Sequence, residues 1–578
     1  MSFFLKNFMF WRWNRKRRII EIAPDEIMLD SRNLPDFDRA QFEGRLEKPI
    51  SKLTLFMVVG VFGALMIVFL VQSWHLQIRL GEEYLTRSEK NTLRPIPIFA
   101  GRGVLQDRDG RLLAWNSPSQ KEMTTIVEDA VAIREYATST GLAHILGYVQ
   151  YPSKDKNGFY YQDDFEGIAG AEEYFNESLQ GVNGSRLVEV DAFGTIVSEN
   201  VVRRPIQGKS ITLSIDSRVQ SALYYNIKDI ARRVGFTGGA GVIMDVNSGE
   251  LIALTSYPEY SSQVMSDRND TAQVKSLLTN PSLPFLNRAV DGLYTPGSIV
   301  KPYIALGVLG ENIIDPATVI VTTGSISIPN PYDPTKSTVF KDWKNNGSID
   351  MLHAISVSSD VYFYIVGGGY KDQKGLGIVN IDKYLRLFGL GSKIPESFAR
   401  GKAGVIPTPE WKKATFNEDW YIGNTYHTSI GQYGFQVTLI QIIRAVASLA
   451  NNGLLLVPSV TKNSVPQIER SIEEIPDKNF AIVREGMRLS VTEGVAKSLD
   501  VPYVKVAAKS GTAELGVTKE KVNSWITGFW PYENPRYAFV VMLESGSVHN
   551  LVGAAAAMRQ QLDWMNENTP GYFNKAEP

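Results

Sequence analysis

The stretch Gly241-Val242-Ile243-Met244-Asp245-Val246-Asn247-Ser248-Gly249-Glu250-Leu251-Ile252-Ala253-Leu254 decides the fold class. Two apolar runs flank Asn247-Ser248-Gly249, a turn-forming trio, so the segment reads as a β-hairpin. Just upstream, Ser210-Ile211-Thr212-Leu213-Ser214-Ile215 has the character of a strand. Residues 217–234 then read as an amphipathic helix opened by Asp216-Ser217. Far downstream, residues 524–530 and 537–543 read as paired strands separated by Pro531-Tyr532-Glu533-Asn534-Pro535. A last helix covers 552–566, and helical stretches fill the middle. Strands early and late, with helices inserted between them, predict an α/β sandwich around a largely antiparallel sheet.

That sandwich is one part of a 578-residue chain, a length that predicts roughly three or four modules at about 150 residues each. Hydrophobic residues at 44% and charged residues at 21% exclude global disorder. A net charge of -1 argues against a dedicated nucleic-acid binder. The absence of cysteine excludes disulfide scaffolds, thiolate zinc sites, iron–sulfur clusters and cysteine nucleophiles. The histidines are His75, His144, His353, His427 and His549, too few and too scattered for a multi-histidine metal centre. A nucleophile must therefore be Ser, Thr, Lys or a carboxylate.

The near-zero charge hides a sorted N-terminus. Residues 1–18 carry Lys6, Arg12, Arg15, Lys16, Arg17 and Arg18 and no acid. Aromatic residues alternate loosely with these cations, which fits either a segment lying on anionic lipid or a plain topogenic tail. A polar, aperiodic stretch follows, so residues 1–52 read as a cytoplasmic basic and disordered tail. Residues 53–71 are uncharged and as a helix span about 28 Å, close to the hydrocarbon thickness of a bilayer. Trp74 sits at the far interface. With the cations before the helix, the N-terminus is expected inside and everything past Gln72 outside, on the periplasmic side of the inner membrane. A cleaved signal peptide fits poorly, because the run is too long and lies too far in. The expected division is 53–72 as transmembrane helix, 73–209 as a mixed non-catalytic module, 210–566 as the sandwich and 567–578 as a C-terminal tail.

Chemistry is carried by short motifs within the sandwich. In Ser298-Ile299-Val300-Lys301, after the turn Pro296-Gly297, residues three apart share a helix face, which aims the Lys301 amine at the Ser298 hydroxyl. A serine needs a partner base to act as nucleophile, and a lysine with a lowered pKa can be that base. By itself Ser-x-x-Lys occurs by chance about two or three times in a chain this long. Ser358-Ser359-Asp360, alone, could be a plain helix N-cap. Lys509-Ser510-Gly511-Thr512 ends a strand with a cation, two hydroxyls and a glycine that allows close backbone approach, a set suited to a carboxylate. His353 lies near Asp342 and Asp350 in sequence, and an ordinary satisfied or exposed histidine is preferred there over a structural metal site.

Taken together and in this order, the three motifs match the signature of penicillin-binding proteins and serine β-lactamases. The chain resembles a class B penicillin-binding protein, a monofunctional DD-transpeptidase. Gly101-Arg102-Gly103, Asp107-Arg108-Asp109-Gly110, His144-Ile145-Leu146-Gly147-Tyr148 and Gly167-Ile168-Ala169-Gly170-Ala171-Glu172 resemble that family's pedestal, or dimerisation, domain. Pro407-Thr408-Pro409-Glu410-Trp411-Lys412, Trp420-Tyr421-Ile422-Gly423-Asn424-Thr425, Ser429-Ile430-Gly431-Gln432 and the aspartate at 360 resemble its elongation-type branch. Two features depart from the pattern. The segment between Asn116 and His144 is short for a pedestal head, and Tyr433-Gly434-Phe435 stands where a second glycine is expected earlier. Neither a glycosyltransferase domain ahead of the pedestal nor a PASTA-like tail after the sandwich is expected.

The resemblance implies a multidomain α/β protein: a transmembrane helix, a mixed α+β pedestal and a penicilloyl-serine transferase (β-lactamase-like) sandwich. It implies that Ser298 is the acyl-ester nucleophile, Lys301 the general base, Ser358 a proton relay and Asp360 an orienting group. Lys509 would be electrostatic. Ser510, Gly511 and Thr512 would bind the substrate carboxylate, and the backbone N–H groups of Ser298 and Thr512 would form the oxyanion hole. No cofactor or metal is expected. Implied partners are peptidoglycan stem peptides, β-lactams as inhibitors and a SEDS-family membrane glycosyltransferase. A septal transpeptidase, a β-lactamase or β-lactam sensor, and an inactive wall-synthesis scaffold are the alternatives.

Overall fold

The computed structural model describes residues 51–84, 93–118, 131–155, 160–190, 196–267, 270–330, 333–395, 398 and 401–573. They belong to two compact units, 1–91 and 92–578. The basic tail before Ser51 and the last residues of the C-terminal tail lie outside the described residues.

In the first unit, helix α1 (Lys52–Trp74) is continued by a π-helical turn, His75–Arg79. Ser51 caps it, its Oγ accepting the Thr54 N–H at 3.1 Å. No residue of α1 is buried, and side chains all around it are exposed, Phe69 at 72%. A soluble helix would bury an apolar stripe; this one is apolar on every side and long enough to cross a bilayer.

The second unit begins with two small sheets. Strands β1 (Leu93–Ile98), β2 (Leu105–Gln106), β3 (Leu112–Ser117) and β4 (Ile133–Tyr136) are followed by the short helix α2 (Ala143–Leu146) and by β5 (Gly184–Val190), β6 (Ile196–Arg203) and β7 (Ile211–Thr212). One sheet has the order β1-β5-β6, the other β7-β2-β3-β4. Here the structure corrects the sequence reading. Of residues 210–215, expected as the first strand of the sandwich, only β7 is a strand, and it pairs in parallel with β2, Ile211 opposite Leu105. Apolar alternation marks a strand but does not name its partner.

The N-terminal sheets are interlocked with the rest of the unit. Asp107 is fully buried and accepts the Ser217 hydroxyl at 2.6 Å and the Asp109 and Arg111 N–H groups at 2.9 Å. Burial pushes its carboxyl up, but these hydrogen bonds outweigh burial and hold it below the ordinary aspartate value. Ser217 opens helix α3 (Ser217–Val234), whose N-cap is Asp216, as the sequence predicts. The Glu259 carboxylate accepts the Gly141 and Ala143 N–H groups at 2.6 and 3.0 Å, and Gln263 bonds both the Arg134 carbonyl and the Tyr136 N–H of β4.

The main sheet has five strands in the order β9-β8-β12-β11-β10, all neighbours antiparallel. These are β8 (Gly238–Asp245), β9 (Leu251–Tyr257), β10 (Ala507–Leu515), β11 (Lys521–Trp530) and β12 (Tyr537–Ser547). The β8–β9 hairpin turns where its sequence predicts, with Asp245 Oδ1 accepting the Asn247 and Ser248 N–H groups at 2.9 and 3.1 Å. Side-chain alternation divides the sheet between two cores. Val242, Met244, Val540 and Met542 face one; Ile243, Val541 and Leu543 face the other. Both faces are covered, so β8, β9 and the first part of β12 are buried almost continuously, the pattern of a sheet covered on both sides.

His144 of α2 packs edge-on against Tyr260 at 5.2 Å. Burial, with the charge of Arg288, lowers its pKa from 6.5 to about 4, against carbonyls of Pro284 and Pro258 that favour the charged form. The unfolded chain therefore takes up this proton first as the pH falls. Stability from the neutral imidazole is complete above 6.5 and is lost down to about pH 4, by about 3 kcal/mol. Melting curves between pH 7 and 4 should show this slope, and His144→Gln should flatten it. An unchanged slope in the variant would sink the assignment.

Candidate active site

The main sheet ends at the edge strand β10, and the sequence motifs gather beside it. Past helix α4 (Thr271–Leu278), Pro296 and Gly297 lead into a 3-10 turn, Gly297–Val300, and helix α5 (Lys301–Gly310) follows with Pro302 in its first turn. The turn lies directly on β10. A β-carbon on Gly511 would stand 2.8 Å from Ile299 Cγ2, and one on Gly297 2.9 Å from the Thr512 carbonyl oxygen. Gly511 thus lets the Ser298 turn, rather than a ligand, approach the strand. Gly297 is also left-handed at φ +59°, the region glycine enters without strain.

Ser298 is half-buried. Its hydroxyl makes no hydrogen bond among the described residues, including to Lys301. The expected Ser298–Lys301 contact is replaced by a different one. Lys301, fully buried, donates to Asp360 Oδ1 at 2.6 Å, to the Ser358 carbonyl at 2.8 Å and to Ser358 Oγ at 3.4 Å. Its amine also lies 5.5 Å from the Phe363 ring centre. A carboxylate is a stronger partner for an ammonium than a neutral hydroxyl.

Helices α6 (Met351–Ser356) and α7 (Asp360–Gly368) are joined through Ser358-Ser359. The three residues of this trio face different ways. Ser359 is the N-cap of α7, its Oγ accepting the Tyr362 N–H at 3.2 Å, while Ser358 and Asp360 turn toward the lysines. Ser358 sits at φ +60°, a strained conformation for a non-glycine residue. Asp342, which the sequence offered only as a conceivable metal ligand, holds this turn. Its Oδ2 accepts the Ser359 hydroxyl at 2.6 Å and the Val361 N–H at 3.1 Å. His353 pairs instead with Asp350, Nδ1 to Oδ1 at 2.7 Å. Among the described residues no three His, Asp or Glu side chains gather into a metal-holding group.

Lys509 reaches the same point from the strand. Its amine donates to Ser358 Oγ and to the Ser510 carbonyl, both at 2.7 Å. Ser358 Oγ therefore stands between two buried amines. Burial and the neighbouring charge of Lys301 push the Lys509 amine well below the ordinary lysine value, with Asp360 pulling partly back. Ser510 is half-buried and Thr512 exposed on the outer edge of β10. On the far side of the Ser298 turn, the Gly297 N–H donates to the Gly431 carbonyl at 3.0 Å. Sequence reading placed no chemistry there.

Residues 239–562 match the penicillin binding protein transpeptidase domain, and residues 119–213 match the penicillin-binding protein dimerisation domain. The chain belongs to the penicillin-binding protein transpeptidase family. Within it, the chain is similar to class B members of the elongation type. It is 28% identical to the peptidoglycan D,D-transpeptidase MrdA of Acinetobacter baumannii, over 86% of each chain. It is 26% identical to the Escherichia coli K12 protein of that name, over 88% of this chain and 93% of the relative. The Pseudomonas aeruginosa PBP2 structure, in complex with WCK 5153, superposes with a TM-score of 0.67 at 28% identity, covering 84% of this chain and 100% of that one. The complex of Helicobacter pylori PBP2 with MreC gives 0.67 at 25%, covering 83% and 99%. These relatives do not favour the septal, β-lactamase or scaffold readings.

Proposed function

We propose that Ser298 is the acyl-ester nucleophile of a peptidoglycan D,D-transpeptidase that cross-links stem peptides during elongation and shape maintenance, and that β-lactams acylate the same hydroxyl. The observation that carries this reading is the convergence of Lys301 and Lys509 on Ser358 Oγ beside the Ser298 turn. Lys301 takes the proton as Ser298 Oγ attacks the carbonyl of the penultimate D-alanine. The N–H groups of Ser298 and Thr512 receive the charge that develops on the oxygen. Ser358 passes the proton from Lys301 to the departing amine, the C–N bond breaks and D-alanine leaves. The amine of a neighbouring strand then attacks the ester, forms the new amide and returns Ser298. Asp360 orients Lys301; Lys509 supplies positive potential; Ser510 and Thr512 hold the terminal carboxylate. The open edge of β10 suits an extended peptide, which can add there as a further strand.

The same reading divides the chain at 53–72, 73–209 and 210–566, supported by the matches at 119–213 and 239–562. The protein is a membrane-anchored penicillin-binding protein. We place its N-terminus in the cytoplasm and its catalytic domain outside, from the cations ahead of α1. A SEDS-family glycosyltransferase is the proposed partner; a relative with a TM-score of 0.69 comes from a peptidoglycan synthase complex coordinating polymerization and crosslinking. Intact mass spectrometry after β-lactam treatment, with peptide mapping, tests the site. One stable adduct on Ser298 is expected, and an adduct elsewhere would overturn the assignment.

A further inference from the structure

Tyr433 occupies a backbone conformation that its side chain disfavours. Among the described residues it is the one aromatic residue at positive φ, at +65°. Glycine would enter this region freely, and the family pattern the chain resembles has a glycine here. The following residue, Gly434, is also left-handed, at φ +74°, and a β-carbon on it would stand 2.6 Å from Trp411 Cη2. The turn has room for a side chain at 433 and none at 434.

Both ends of the turn are pinned. Gly431 donates to the Thr428 carbonyl at 3.0 Å and accepts the Gly297 N–H at 3.0 Å, and Gln436 pairs with Val405 through both backbone groups. Gly431 lies so close to Gly297 that a β-carbon on it would come within 2.2 Å of the Gly297 oxygen. Two residues of chain, about 7 Å at full stretch, separate Tyr433 from this contact. The Tyr433 ring is clamped edge-on by Trp411 at 6.1 Å and Trp420 at 5.8 Å. Those tryptophans are rooted in turn. Trp411 is on helix α8 (Pro409–Phe416), next to buried Lys412, whose amine bonds the Asp419 carbonyl at 2.5 Å and Asn424 Oδ1 at 3.2 Å. Trp420 Nε1 donates to Thr425 Oγ1 at 2.9 Å.

We propose that Tyr433 is a positioning residue for acyl transfer: its ring, held between Trp411 and Trp420, fixes the turn that presses Gly431 against Gly297 and so sets the Ser298 hydroxyl. The inference rests on Ser298 as the nucleophile. It gives a role to two motifs, Pro407–Lys412 and Trp420–Thr425, that the reaction itself does not use. The contacts of the ring need no phenol hydroxyl.

Stopped-flow acylation of the full chain in detergent by a fluorescent penicillin separates the dissociation constant from the acylation rate constant. Tyr433→Gly suits the left-handed backbone, so it is expected to fold and to lower the acylation rate constant about tenfold or more, with binding unchanged. Tyr433→Phe should acylate like the wild type. Trp411→Ala should lose rate similarly, and combining it with Tyr433→Gly should add little. A wild-type rate in Tyr433→Gly, a loss confined to the dissociation constant, or failure of Tyr433→Phe to restore the rate would each overturn the proposal. A label mapped away from Ser298 would instead overturn the nucleophile assignment beneath it, and the proposal with it.

Discussion

Lys301→Arg is expected to slow acylation by fluorescent penicillin by about 10²- to 10⁴-fold, and raising the pH should not restore it. Arginine keeps a cation beside Asp360 but does not give up its proton at accessible pH, so it separates charge from basicity. The position is demanding. The amine is fully buried, and its acceptors are the Asp360 carboxylate, the Ser358 carbonyl and Ser358 Oγ. A purely electrostatic lysine would tolerate the exchange. If Lys301→Arg acylates within a few-fold of the wild type, Lys301 is not the base.

Lys509→Met is expected to make the protein more stable near neutral pH and much less reactive. The Lys509 amine is buried against Ser358, beside a second lysine, and its pKa is pushed well below the ordinary value. In the unfolded chain it binds a proton below its ordinary pKa of about 10.4, before the native amine does. The native state therefore loses stability as pH falls from that value toward the depressed native pKa, and the penalty is constant below it. Removing the amine removes the penalty. The melting temperature of Lys509→Met should exceed the wild type at pH 7, with the gain shrinking toward pH 10. The reactivity cost follows from the 2.7 Å bond to Ser358 Oγ and from the charge offered to the substrate carboxylate. An interaction of this charged kind is worth about 1.5–3 kcal/mol, so weaker capture of anionic β-lactams by about 10- to 100-fold is expected. A variant that melts lower than the wild type at every pH would show that the hydrogen bonds of Lys509 outweigh its desolvation.

The two substitutions separate groups that sequence reading could only set side by side. Ser298, Lys301, Ser358, Asp360 and the Lys509–Thr512 run were all legible as motifs, because each is a short pattern of residue types at fixed spacing. Their mutual contacts were not. The sequence pointed Lys301 at Ser298, and the structure turns it to Asp360, a partner 59 positions away. Gly511 was read as room for a ligand and serves as room for the Ser298 turn. Asp342 had no assigned part in the site, yet it holds the strained turn that presents Ser358. No signal short of that contact would have found it. Tyr433 was visible as a departure from the expected glycine, which is a usable signal, but not as a residue seated in a left-handed turn among tryptophans.

The sequence by itself determined what depends on neighbours along the chain. The apolar helix is set by an uncharged run of bilayer length. The β8–β9 hairpin is set by its turn residues and the start of α3 by the Asp216 cap, and the absence of cysteine narrows any nucleophile to Ser, Thr, Lys or a carboxylate. Only the tertiary structure decided which distant groups meet. It placed Lys509 on Ser358 across 151 positions, gave β7 to the N-terminal sheet, and packed Gly431 on Gly297. Periodicity, caps and turns are properties of adjacent residues. Pairing across the fold is settled by how whole elements bury their surfaces together, and no single segment carries that information.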